Sequence, residues 1–130
     1  MSFVDINLWD FLDNSANRYP KKTAIKENGA SCTYEQLRDR TLSVAAFIKS
    51  HGLLEGDRAA ILSPNCLPFV EVMFANARLG VVTELLNWRL APARLCELVE
   101  QSSAKLVFFS EKTRESYEIL RKNVKRPLTY

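Results

Sequence analysis

Apolar side chains recur at helical spacing over residues 7–18, where Leu8, Trp9, Phe11, Leu12 and Ala16 fall three, four and seven positions apart. With Asn7 as an N-cap and Pro20 as a stop, the spacing predicts an amphipathic helix. Thr23-Ala24-Ile25-Lys26 then reads as a short strand, and Asn28-Gly29 is a hairpin dipeptide that returns the chain through Ser31-Cys32. Thr33 and Gln36 make a T-x-x-Q capping box, in which the hydroxyl and the amide each take a backbone N–H, so a second helix starts there. Its apolar stripe is Leu37, Thr41, Val44, Ala45, Phe47 and Ile48, and Gly52 supplies a left-handed stop. His51, in the last turn, is expected to cap that helix, since no second polar partner for catalysis stands near it in sequence.

Beyond the Gly56-Asp57 turn the pattern changes to alternating strands and helices. Ala59-Ala60-Ile61-Leu62 is wholly apolar and ends at Ser63-Pro64-Asn65, the mark of a parallel strand covered on both faces. A helix follows with Pro68 in its first turn, Phe69, Val72, Met73, Ala75, Ala77 and Leu79 as its buried side, and Gly80 at its end. Residues 81–86 read as a second strand buried on both faces, residues 93–102 as a helix, and Leu106-Val107-Phe108-Phe109 as a third strand. Ser110 caps a charged helix that reaches about Asn123. Strands and helices in this order imply right-handed crossovers and an α/β fold: a partial doubly wound, mainly parallel sheet with helices on both faces, plus a small N-terminal β-hairpin. Residues 1–124 are expected to form one N-terminal subdomain, with residues 125–130, including Lys125-Arg126-Pro127, as a tail or truncation point.

The chain has 130 residues, 47% of them hydrophobic and 25% charged, enough for one core. Residues 111–126 carry six Lys/Arg against three Glu and so account for the whole net charge of +3. That density suits no nucleic-acid surface. The first ten residues lack the basic head and apolar core of an export signal, and Pro68, Glu71, Asn76 and Arg78 interrupt the longest apolar run. A cytoplasmic protein without a membrane span is expected. Cys32, Cys66 and Cys96 form no C-x-x-C, and with one histidine they leave no zinc site, so each reads as a reduced core thiol.

An open α/β sheet takes ligands at the carboxyl ends of its strands, which directs attention to Ser63-Pro64-Asn65, Asn87-Trp88-Arg89 and Ser110. Ser63-Pro64-Asn65 reads as a structural cap for the next helix, because it lacks the glycines that admit a phosphate. There is no G-x-G-x-x-G, no G-x-x-x-x-G-K-[ST] and no G-x-S-x-G. The acid pairs Asp10/Asp13 and Glu97/Glu100 read as helix surface. Glu84 is the odd residue, since it interrupts an apolar strand and must meet a cation or sit at an edge or surface. No catalytic residue and no metal ligand emerges.

Two segments carry a resemblance. Cys32-Thr33-Tyr34-Glu35-Gln36-Leu37 resembles a Leu-Thr/Ser-Tyr-x-Glu-Leu motif, with Gln36 at the glutamate position. Ala77-Arg78-Leu79-Gly80 through Leu86-Asn87-Trp88-Arg89-Leu90 resembles a second motif, with Leu85 where many relatives carry proline. Together with Tyr19-Pro20, Gly56-Asp57-Arg58 and Asn65, these resemble the N-terminal part of the adenylate-forming, AMP-dependent superfamily over about residues 7–112. The Leu-Asn-x-Arg-Leu ending is similar to its acyl- and aryl-CoA ligases.

The resemblance implies a full-length enzyme that uses ATP, Mg and CoA to turn a carboxylic acid into an acyl-adenylate and then a thioester. It implies the remaining adenylation and C-terminal domains as partners, since the phosphate loop and the catalytic lysine have no counterpart in this sequence. It also makes Arg89 a candidate contact for the CoA phosphates, with Trp88 stacked beside it. The alternative is an interaction module without ligase activity, self-associating as a homo-oligomer through exposed apolar sheet or helix surface. A small Rossmann-like nucleotide binder has no Gly-rich loop to support it.

Overall fold

A computed structural model describes residues 6–124, so the expected boundary at 125–130 lies outside the described residues. The first helix, α1 (Leu8–Arg18), starts as its sequence requires: Asn7 Oδ1 accepts the Trp9 N–H at 2.8 Å, and the Asp10 carboxylate accepts the Asn7 N–H at 2.9 Å. The hairpin strands β1 (Thr23–Glu27) and β2 (Ala30–Thr33) pair antiparallel. Between them Asn28 and Gly29 take φ of 48° and 82°, the left-handed pair that a two-residue turn between twisted strands needs. In α2 (Tyr34–Ser50) the capping box closes both ways, Thr33 Oγ1 accepting the Gln36 N–H at 3.2 Å and Gln36 Oε1 the Thr33 N–H at 2.9 Å. His51 ends this helix as expected, with Nδ1 2.9 Å from the Phe47 carbonyl oxygen. Trp9 and Leu12 of α1, Cys32 of the hairpin and Leu37 of α2 form one small apolar cluster, which fastens the N-terminal unit together.

The parallel sheet contains β3 (Arg58–Leu62), β4 (Val82–Leu85) and β5 (Leu106–Phe109) in the order β4-β3-β5. The all-apolar run takes the centre, and Ala59, Ala60, Ile61 and Leu62 are buried. Ala59, Val81 and Leu106 face α2 and α3 (Leu67–Leu79), packing on Ala45, Ile48 and Ala75. Ala60, Leu62, Leu86 and Val107 face the other way, onto Leu95 and Val99 of α4 (Pro92–Ser102) and Tyr117 and Leu120 of α5 (Arg114–Asn123). Helices therefore cover both faces. A single 3₁₀ turn, Glu111–Thr113, leads into α5.

Two expectations need correction. Residues 81–86 are not buried on both faces: β4 is an edge strand, and Val82 and Leu85 are 47% and 57% exposed. The edge position is what admits Glu84, which is half-buried, although its Oε2 is buried without a hydrogen-bond partner. In α3 the polar residues Glu71 and Asn76 are buried, whereas Phe69, Met73, Ala77 and Leu79 are only half-buried. The helix is wedged between α2 and the sheet, so two of its faces are covered and polar side chains there need partners. Glu71 has the Arg40 guanidinium of α2, and the Asn76 amide donates to Thr83 Oγ1 at 2.9 Å.

The turn before β3 is fixed electrostatically. Asp57 accepts the Leu54 N–H at 2.7 Å and lies 3.0 Å from Lys105 Nζ, while the Gly56 N–H donates to the Gly80 carbonyl at 2.9 Å. The Leu54 N–H first, and then the Lys105 ammonium, hold the Asp57 carboxyl below its ordinary range. A carboxylate depressed in the folded state contributes stability above its unfolded pKa of about 3.9, and that contribution is lost as pH falls through the lower folded value. An Asp57→Asn variant should therefore lose stability at neutral pH and show a shallower acid limb than the parent in urea midpoints measured from pH 7 to pH 2.

Candidate functional site at the carboxyl edge of the sheet

Two loops meet at the carboxyl ends of β4 and β5. After β4 the chain makes a tight turn in which Asn87 Oδ1 accepts the Arg89 N–H at 3.1 Å and the Asn87 carbonyl accepts the Leu90 N–H at 3.0 Å. This side-chain-closed turn sets Trp88 half-buried against the α4–α5 cluster. The Arg89 guanidinium carbon lies 4.6 Å from the centroid of the Trp88 ring. A second cation was not foreseen: Lys112, from the 3₁₀ turn after β5, places Nζ 4.8 Å from the same centroid. The negative face of an indole attracts both charges. Neither Arg89 nor Lys112 is ion-paired with a carboxylate among the described residues.

The sequence reading named Trp88 and Arg89, and the structure brings them together. It missed Lys112 although it nominated Ser110, two residues earlier. The usable signal was position, since Lys112 is the first cation beyond the carboxyl end of β5.

At the ends of β3 and β5 the chemistry is apolar. Thr113 Oγ1 donates to the Leu62 carbonyl at 2.6 Å and accepts the Ser110 N–H at 3.1 Å, tying the two strand ends together. Beneath lies a cavity of about 150 Å³ walled by Ile61, Cys66, Phe69, Val72, Phe108 and Phe109. Ser63 does not cap α3, which corrects the reading of its loop, because its hydroxyl turns to the Pro64 carbonyl at 2.8 Å. The cap comes from the hairpin instead: Glu27 Oε2 accepts the Leu67 N–H at 2.9 Å. A carboxylate thus occupies the α3 N-terminus, where an anion would otherwise be favoured.

The other candidates are structural. Asp13 pairs with Arg38, Asp10 caps α1, and Glu97 pairs with Arg94. All three thiols are free, and burial pushes Cys32 and Cys96 up, away from the thiolate a nucleophile needs. Among the described residues no three His, Cys, Asp or Glu side chains group to hold a metal, and no helix is long and apolar enough to cross a membrane.

The AMP-binding enzyme family model matches residues 12–129, and the chain belongs to that family. Among similar proteins, the 2-succinylbenzoate–CoA ligase of Oceanobacillus iheyensis is 35% identical over 113 residues, covering 86% of this chain and 24% of that protein. The peroxisomal trans-cinnamate:CoA ligase of Petunia hybrida is 30% identical over 123 residues, covering 92% of this chain and 22% of its own length. In three dimensions the chain superposes on a fatty acyl CoA synthetase of Mycobacterium tuberculosis with a TM-score of 0.87 and 26% identity, covering 93% of this chain and 24% of that one. The chain thus spans about a quarter of the length of these relatives.

Proposed function

We propose that the chain is the N-terminal, non-catalytic portion of a cytoplasmic AMP-dependent acyl-CoA or aryl-CoA synthetase. The full-length ligase activates a carboxylic acid with ATP and Mg to an acyl-adenylate and passes the acyl group to CoA. The remaining adenylation and C-terminal domains bring the phosphate loop and the catalytic lysine. This portion supplies the carboxyl edge of a sheet, and the observation that carries the reading is that Arg89 and Lys112 both lie over the Trp88 ring. Two cations that pair with no carboxylate among the described residues, beside an aromatic plane, suit a nucleotide carrying phosphates, and CoA is the phosphate-bearing substrate of such a ligase.

The test has two arms. The 130-residue chain alone should release no pyrophosphate from ATP with any of a panel of fatty and aromatic acids, whereas the full-length ligase should turn over. In that ligase Arg89→Ala and Lys112→Ala should each raise KM for CoA about tenfold, equivalent to about 1.4 kcal/mol of binding, with adenylate formation unchanged. Turnover by the short chain, or an unmoved KM in both variants, overturns the reading. The exposed Val82 and Leu85 on the β4 edge favour a second reading, a self-associating interaction module, which would show as concentration-dependent size in solution with no turnover in either protein.

A further inference from the structure

The turn that carries Lys112 is seated on the sheet by a buried hydroxyl. Leu62 and Phe109 are the last paired residues of β3 and β5. Beyond them the Ser110 N–H and the Leu62 carbonyl meet through a side chain: Thr113 Oγ1 accepts the first at 3.1 Å and donates to the second at 2.6 Å. The Thr113 N–H donates in turn to the Ser110 carbonyl at 3.0 Å, which closes the 3₁₀ turn Glu111–Thr113. Thr113 is only 3% exposed, so water reaches neither partner of its hydroxyl unless the turn lifts from the sheet.

Lys112 directly precedes Thr113 and is exposed. The neighbouring Glu111 turns to Arg114 at 2.9 Å, leaving the Lys112 ammonium to lie 4.8 Å from the centroid of the Trp88 ring. An exposed contact between a cation and an indole is too weak to order a loose turn around itself, so the backbone must already aim the side chain. Arg89 reaches the same ring from a separate turn, closed by the Asn87 side chain. The two cations therefore depend on different clamps, and the one behind Lys112 is Thr113.

We infer that Thr113 is a positioning residue of the nucleotide site: its hydroxyl seats the 3₁₀ turn on the end of β3, and the seated turn holds the Lys112 ammonium over Trp88. Thr113 touches no ligand in this role and acts through Lys112 alone. Its consequence for CoA rests on the ligase reading, whereas the placement of Lys112 does not.

Proton resonances of the Lys112 ε-methylene in the 130-residue chain test the placement directly, because protons over the face of an indole are shielded. They should lie upfield of an unstructured lysine in the parent and in Thr113→Ser, and return to the unstructured position in Thr113→Val, while the Leu95 and Val99 amides keep their shifts. In the longer ligase Thr113→Val should raise KM for CoA about tenfold, as Lys112→Ala does, with kcat and adenylate formation unchanged and Thr113→Ser close to the parent. The double variant Lys112→Ala/Thr113→Val should be no worse than Lys112→Ala, since a misplaced ammonium and an absent one are equivalent. If Thr113→Val does not fold, Thr113→Cys takes its place with the same displacement expected, because a thiol hydrogen-bonds only weakly. An ε-methylene that is unshielded in the parent, or that stays shielded once the hydroxyl is gone, overturns the inference, as do CoA losses that add in the double variant. Displacement of Lys112 in Thr113→Val with KM for CoA unmoved in both Thr113→Val and Lys112→Ala sinks the ligase reading of the site and leaves the clamp in place.

Discussion

Replacing Leu95 with alanine lowers the unfolding free energy by about 3 kcal/mol, within the range for deleting a fully buried leucine. Leu95 is entirely buried in α4, where it packs in the cluster that includes Ala60 and Leu62 of β3 and Tyr117 of α5. Two alanines, Ala59 and Ala60, make the central strand thin, so the helices approach closely and large side chains from α4 and α5 fill the layer. A methyl in place of isobutyl leaves a void bounded by a backbone-paired strand and two helices, none of which can collapse inward without losing its other contacts. A domain of this size holds only about 5–15 kcal/mol in total, so the loss is a large fraction of it. Urea titration followed by tryptophan fluorescence measures it, with an unchanged slope and a lower midpoint. A midpoint within experimental error of the parent would mean that the α4 face is not packed as described.

Short-range signals carried most of the fold. The Asn28-Gly29 hairpin, the Thr33/Gln36 box, the apolar β3 strand and the Gly80 stop each depend on residues within a turn or two of one another, and all form as their chemistry requires. The loops that the carboxyl-edge rule singled out do lie at the carboxyl ends of the strands, because strand direction is local and the edge follows from it. What escaped depends on pairs distant in sequence. Glu27 caps a helix that starts 40 residues later, and Glu71 meets an arginine 31 residues earlier. Lys112 reaches Trp88 from the far side of a helix and a strand. Apolar periodicity on α3 gave one buried stripe because it assumes one covered face, but the helix is covered on two. The β4 misreading has the mirror cause: an apolar run of β-branched and leucine residues looks the same at an edge as at a centre, and the strand order that decides between them is not a local property.

Removing Arg40 exposes the consequence of that second covered face on α3. Glu71 is 5% exposed, while the Arg40 side chain is half open to water, so the two partners of this ion pair are not equivalent. Arg40→Ala leaves a buried carboxylate with no cation and should cost about 2–3 kcal/mol, at the lower end for a broken buried pair because water already reaches the arginine side. Glu71→Leu removes the buried charge itself and leaves a guanidinium free to hydrate, at a cost of about 1 kcal/mol or less. The double variant Arg40→Ala/Glu71→Leu should lie close to the Glu71→Leu single, so that the two losses fall well short of adding. Chemical denaturation of the four proteins closes the cycle. Additive losses would mean that the guanidinium and the carboxylate act independently, and a Glu71→Leu loss larger than that of Arg40→Ala would mean that the acid holds α3 against α2 by some contact other than this pair.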